Sequence, residues 1–96
     1  MRDVIFVNGA VYFSVRAVAR LLDRSEITVR RWVEHGRLTA SRPGRFLLVK
    51  WGELLRFVRQ SRGRRDLPGD AAERIWAAAR RAAKRERSRN AKLRAT

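Results

Sequence analysis

The residues best placed for chemistry in this sequence are the hydroxyl and guanidinium groups of the stretch S-E-I-T-V-R-R-W-V, Ser25 to Val33. Val29, Trp32 and Val33 fall at i, i+3 and i+4, so a helix here would turn one apolar stripe toward a core. Thr28, Arg30 and Arg31 lie off that stripe and would face outward. Ser25 is a suitable N-cap, because its hydroxyl can accept from the free N–H groups of the first turn. Glu26 places negative charge at the positive end of the helix, and Gly36 after His35 is a stop signal. Seen alone, this is either a helix that presents donors to a partner or an ordinary amphipathic helix with a solvated arginine face.

Composition narrows the partner. The chain has 96 residues, with 24 Lys plus Arg against 9 Asp plus Glu, a net charge of +15 and a pI near 12.0. A charge of that size implies a polyanion, nucleic acid first and an anionic membrane second. Arginine makes bidentate contacts to phosphate and guanine that lysine cannot, although an Arg- and Ala-rich composition also arises in GC-rich genomes. Cysteine is absent, and the single histidine, His35, cannot build a zinc site, so no metal or other cofactor is implied. No apolar run approaches the ~20 residues that span a bilayer, and the start lacks the long apolar region of a signal peptide. The expectation is one small domain in the cytoplasm, its Arg- and Ala-rich composition pointing to a GC-rich bacterium or its phage, with no membrane partner and, for want of a nucleophile–base constellation, no enzymatic activity.

Elements that could position the 25–33 helix are legible on both sides. Val4 to Val7 and Ala10 to Phe13 flank Asn8-Gly9, the favoured type I′ pair, and suggest a small hairpin. Ser14 then caps a helix from Val15 to about Leu22, with Val15, Val18, Ala19 and Leu22 buried and Arg16 and Arg20 four apart outside. Asp23-Arg24 is the turn before Ser25, and two short helices joined by about three residues match the helix-turn-helix template. Arg37 to Ser41 and Phe46 to Val49 read as a second hairpin around Arg42-Pro43-Gly44-Arg45. A hairpin with a basic tip behind a helix-turn-helix is a wing, and arginine there suits a minor groove. Trp51 to Gln60 is a third helix whose Leu54, Leu55, Phe57 and Val58 are expected to close the core with Trp32 and Phe46, Trp51 being a core or helix-start aromatic.

The remainder is basic. Residues 61–69 read as a linker with two glycines and a proline. Asp70, with Glu73 three residues on, resembles a capping box that opens an alanine-rich helix from Ala71 to about Asn90. Ile75, Trp76, Ala79, Ala82 and Ala83 form its apolar side. From Ala71 onward there are nine Lys or Arg and two Glu, a net +7. This tail could lie along a DNA backbone, dock on a protein through Ile75 and Trp76, lie at a membrane surface, or be a half-ordered solubilising tail. The organisation expected is therefore a winged helix-turn-helix over 1–60, a linker over 61–69 and a basic helical tail over 70–96.

The run Y-F-S-V-R-A-V-A-R-L-L-D-R-S-E-I-T-V-R-R-W-V-E-H-G-R-L-T-A-S-R-P-G-R-F-L-L-V resembles the winged-helix domain of phage excisionases and the related MerR-like domain, with T-V-R-R-W-V (Thr28 to Val33) especially like the excisionases. The resemblance covers about Tyr12 to Val58. It departs from the family at Arg16, where Glu is frequent, at Asp23, where Gly is frequent, and in the wing, which is shorter than the MerR one. It implies a mainly α fold with a small β-hairpin wing plus the C-terminal basic helix. It also implies a sequence-specific, DNA-bending factor that directs an integrase toward excision, binding side by side on double-stranded DNA. A winged-helix transcriptional regulator and a non-specific architectural protein are the alternatives. On this reading Ile27, Thr28, Arg30 and Arg31 serve the major groove, with Arg31 the foremost base contact, and Arg42, Gly44 and Arg45 the minor groove. Ser14, Arg16, Arg20, Ser25 and Arg37 serve phosphates, while Ile75, Trp76, Arg80, Arg81, Lys84 and Arg85 serve an integrase or the DNA backbone.

Overall fold

The computed structural model describes residues 3–42, 44–60 and 67–94. The expected linker over 61–69 lies outside them except for Leu67, Pro68 and Gly69, and so does Pro43 of the wing turn. The chain begins with two strands, β1 (Val4–Val7) and β2 (Ala10–Ser14), in an antiparallel hairpin that pairs Val7 with Ala10 and Val4 with Phe13. Asn8 (φ 48°) and Gly9 (φ 79°) both take left-handed backbone, as a type I′ turn requires.

No loop separates the sheet from the helices. Ser14 ends β2 and caps α1 (Val15–Leu21), its hydroxyl accepting from the Ala17 N–H at 3.1 Å. After a short turn comes α2 (Glu26–Glu34). Leu38 then dives into the core, fully buried. A third strand, β3 (Leu48–Lys50), returns to pair with β2, giving the order β1-β2-β3, and runs directly into α3 (Trp51–Gln60). The expected wing hairpin is shorter than read from the sequence. Residues 37–41 form no strand, and only a bridge between Ser41 and Leu48 closes the loop.

Both helices of the helix-turn-helix stop in the same way. Past α2, Gly36 (φ 73°) donates to the Val33 carbonyl at 3.1 Å and Arg37 to the Trp32 carbonyl at 2.9 Å. Past α1, Asp23 (φ 51°) donates to Arg20 at 3.4 Å and Arg24 to Ala19 at 2.8 Å. These are Schellman closures, in which a left-handed residue lets its own N–H and the next one satisfy the last carbonyls. Asp23 thus fills a position where glycine is usual.

One core serves all these elements. Phe13, Val18, Leu22, Val29, Leu38, Val49 and Leu54 are fully buried, and Trp32 packs on Phe57 with ring centroids 4.8 Å apart. The expected buried face of α1 is present, with Ala17 added to it. Phe46 is the exception. It was expected in the core, yet it is 53% exposed, because the strand that enters the sheet begins only at Leu48.

The fourth helix, α4 (Ala71–Arg94), packs on this same core. Ala71, Ile75 and Ala79 repeat at i, i+4 and i+8 and are buried. Arg74 fixes the helix from its flank. One Nη donates to Asp23 at 3.1 Å and to the Leu21 carbonyl at 3.3 Å, and Nε meets Asp70 at 3.0 Å. Asp70, expected to cap the helix with its carboxylate, uses that group on Arg74. Its partners, Asp70 before Asp23, push the Arg74 guanidinium still further from losing its proton.

Because Ile75 is wholly enclosed, Ile75→Ala should cost ~2–5 kcal/mol of unfolding free energy. Urea titration followed by far-ultraviolet circular dichroism and by tryptophan fluorescence should show one shared, shifted transition. An unshifted midpoint, or a separate transition for α4, would show that the helix is not part of this core.

Candidate nucleic-acid interface

The outer face of α2 is set by its buried one. With Val29 and Trp32 turned inward, Ile27, Arg30, Arg31 and Glu34 recur at i, i+3, i+4 and i+7 on the solvent side, all exposed. Ile27 is the most open of the described large apolar residues, at 65%. A β-branched hydrocarbon flanked by two guanidiniums offers apolar contact to a thymine methyl beside bidentate donors for guanine O6 and N7. Among the described residues no ion pair holds Arg30 or Arg31, so their donors are available.

Thr28 and Ser25 are arranged differently from expectation. The Ser25 hydroxyl accepts from the Thr28 N–H at 3.2 Å and shares a hydrogen bond with the Thr28 hydroxyl at 2.9 Å. Thr28 is half-buried. The two hydroxyls therefore cap α2 first, and only their remaining capacity points outward. Ser14 is more completely engaged. It is buried, caps α1 and donates to the Asp3 carboxylate at 3.3 Å, so its hydroxyl is not open to a phosphate.

Arg16 and Arg20 are exposed on α1 as expected, but only one is unpaired among the described residues. Arg20 meets Asp3 at 3.1 Å, a partly solvated pair that a phosphate could compete for. Arg16 stands in two neighbouring hollows. One, of about 780 Å³, is shared with Arg20, Ser25 and Thr28 between α1 and the start of α2. The other, of about 520 Å³, runs from Arg16, Glu26 and Arg30 across to Arg42, Arg45 and Phe46 of the wing. This second groove brings together cations from three separate elements. Glu26 stands among them, where a carboxylate can accept from a cytosine amino group.

The wing is anchored at its base. Ser41 and Leu48 exchange N–H···O bonds of 2.8 Å in both directions, so Arg42 and residues 44–47 lie outside the sheet. Arg42, Gly44 and Arg45 are exposed there. A side chain at Gly44 would meet nothing within 4 Å, so the glycine answers to no contact inside the chain. Arg37 is exposed just after α2.

The tail residues divide. Ile75, expected as a partner contact, is corrected: it is buried in the chain's own core and unavailable in the folded state. Trp76 is 39% exposed, packs against Trp51 with centroids 4.9 Å apart, and carries Arg80 over its ring at 5.9 Å. Arg81, Lys84 and Arg85 are exposed and line a shallow surface with Ser88 and Arg89. The sequence reading missed Asp3 and Arg74. The Asp70–Arg74 spacing was visible as an i, i+4 pair, but the contacts with Asp23 and Arg20 span 51 and 17 residues and leave no local signal.

Comparison with known families agrees with this geometry. The profile of the family described as Helix-turn-helix domain matches residues 12–62, which is 51 of the 96 residues. The chain belongs to this helix-turn-helix family, and its helices, three-stranded sheet and wing are those of a winged helix-turn-helix, a module whose job is to bind DNA. No curated protein and no solved structure matches the chain at a significant level. Among the described residues no group of three potential metal ligands occurs, and no helix is long and apolar enough to cross a membrane.

Two substitutions separate the jobs of these cations. Arg31→Ala should cut discrimination between a preferred and a random duplex by ~1–3 kcal/mol. Arg16→Ala should weaken both duplexes alike and lower the magnitude of the log–log salt slope by about 1. Parallel titrations by fluorescence anisotropy decide this. Equal losses on both duplexes for both variants would reject the division.

Proposed function

We propose that this chain is an excisionase-type accessory factor. It binds neighbouring sites on double-stranded DNA, bends the DNA, and helps an integrase assemble the complex that excises rather than integrates. The observation that carries the reading is the groove in which Arg16 of α1, Arg30 of α2 and Arg42 and Arg45 of the wing converge. It lets one small domain grip a major groove with α2 and the adjacent minor groove with the wing, a footing from which DNA can be bent. The helix-turn-helix family it belongs to includes excisionase-like DNA-binding proteins.

The packing of α4 supports this reading over a dimeric regulator. A long dimerisation helix needs an apolar stripe left over for its twin. In α4 the stripe Ala71, Ile75 and Ala79 is already buried in its own chain. Beyond Trp76, which packs against Trp51, what α4 offers outward is charge, with Arg80, Arg81, Lys84 and Arg85 exposed. Those cations suit the DNA backbone or an acidic surface of the integrase, and copies of such a chain would cooperate by lying side by side on DNA.

The full chain, mixed with sheared DNA of its source genome at physiological salt, should protect direct repeats spaced by about one helical turn, roughly 10–11 base pairs, beside an attachment site. Ligation across that repeat array should show a bend that grows with occupancy. Protection of a single inverted repeat at a promoter would assign the chain to the transcriptional regulators. Binding equal on all fragments and steeply lost with salt would leave a non-specific architectural protein.

A further inference from the structure

We infer that Phe46 is a wedge that enters a base step from the minor groove and kinks the DNA beneath the wing. The inference rests on the DNA-binding reading above and assigns the bend to one side chain.

Phe46 combines four properties that no internal role explains. The residue is 53% exposed, although a phenylalanine in an apolar run ordinarily joins the core. It sits on the groove that holds Arg16 and Arg30, so it is on the side of the domain where α2 presents its cations. Arg42 and Arg45 share that groove with it, so the apolar ring is framed by guanidiniums. And it is held firmly at its base: Leu47 is half-buried, Leu48 is buried, and Leu48 is tied to Ser41 by two bonds of 2.8 Å. The ring therefore projects from the point at which the loop rejoins the sheet, not from a free tip.

Each property fits a wedge. The negative potential of a narrow minor groove draws arginine, which brings the neighbouring ring to the floor of the groove. Apolar side chains placed there part a base step and turn the duplex by roughly 20–90° toward the major groove. Pyrimidine–purine steps unstack most readily, so the expected target is a TA or CA step. The absence of a side chain at Gly44, which nothing inside the chain requires, leaves the loop slim enough for close approach.

The test compares the full chain with Phe46→Ala and Phe46→Leu. The probes are a fixed duplex of about 30 base pairs with a central TATATA tract, long enough for one domain, and any fragment recovered in the footprinting above. 2-Aminopurine replaces each tract adenine in turn, and dyes at the ends report bending. Because the ring is largely solvated, all three proteins should melt alike by circular dichroism. Binding of the natural chain should raise 2-aminopurine fluorescence about threefold or more at one step and shorten the end-to-end distance. Phe46→Ala should bind with the same protected region but lose both signals, and Phe46→Leu should keep part of them. Quenched 2-aminopurine in the bound natural complex, or signals unchanged in Phe46→Ala, would overturn the wedge while leaving DNA binding intact. Unchanged 2-aminopurine with a Phe46-dependent change in sedimentation would also overturn it, in favour of a protein contact. A wedge signal on the fixed duplex without protection of genomic repeats would keep the wedge and reject the excisionase reading. Failure to bind any duplex would remove both.

Discussion

The disposition of α2 depends on the backbone at Asp23. A helix-turn-helix works only if its first helix stops abruptly and the second leaves at a steep angle, and a left-handed residue is the shortest way to do both. Asp23 adopts that conformation at φ 51° although it has a side chain to strain. Three interactions hold it there. The Schellman bonds from Asp23 and Arg24 close α1, the Arg74 guanidinium takes the Asp23 carboxylate, and the same guanidinium reaches the Leu21 carbonyl at the end of α1. The distant α4 thus braces the turn between α1 and α2. A glycine at position 23 would relieve the backbone but could not be gripped.

That bracing explains why α4 belongs to the domain although it follows a basic connecting stretch. The core of a chain this size is small, and every apolar face it can recruit matters. Ile75 and its alanine neighbours add a further layer over the sheet and α3, while Trp76 and Trp51 seal its edge. Alanine, weak as a membrane anchor, suits close packing of helix on sheet. Arg80, Arg81, Lys84 and Arg85 of the same helix stay exposed.

How much of this was legible in the sequence follows from the range of each interaction. Ser14, Ser25, Asn8-Gly9 and Gly36 act within a few residues, and their caps and turns could be read from type and spacing alone. The buried faces of α1, α2 and α3 followed from the helical period. Pairing of β3 with β2 could not be read so, because it joins Leu48 to Ser14 across both helices. Phe46 was misplaced for a related reason. An apolar run does not say where its strand begins, and a start two residues later moves an aromatic ring from core to surface. Ile75 was recognised as apolar, but an amphipathic stripe does not name what covers it. The Arg20–Asp3 and Arg74–Asp23 contacts were invisible for want of any local rule.

A net charge of +15 on 96 residues has a consequence for stability as well as for binding. Cations on α1, α2, the wing and α4 repel one another in the folded state more than in the expanded chain, so the charge that attracts DNA works against the fold. The protein offsets this locally, placing Asp3 against Arg20 and both Asp23 and Asp70 against Arg74. Asp3, Asp23 and Asp70 thus neutralise cations that also brace the fold, and among the described residues no ion pair engages Arg30 or Arg31. A polyanion that binds the folded form more tightly than the unfolded one relieves the remaining repulsion and stabilises the domain by mass action. Salt acts in both directions, screening the repulsion within the free chain while weakening its hold on DNA. A small core under strong self-repulsion therefore gains stability from whatever polyanion neutralises the folded surface.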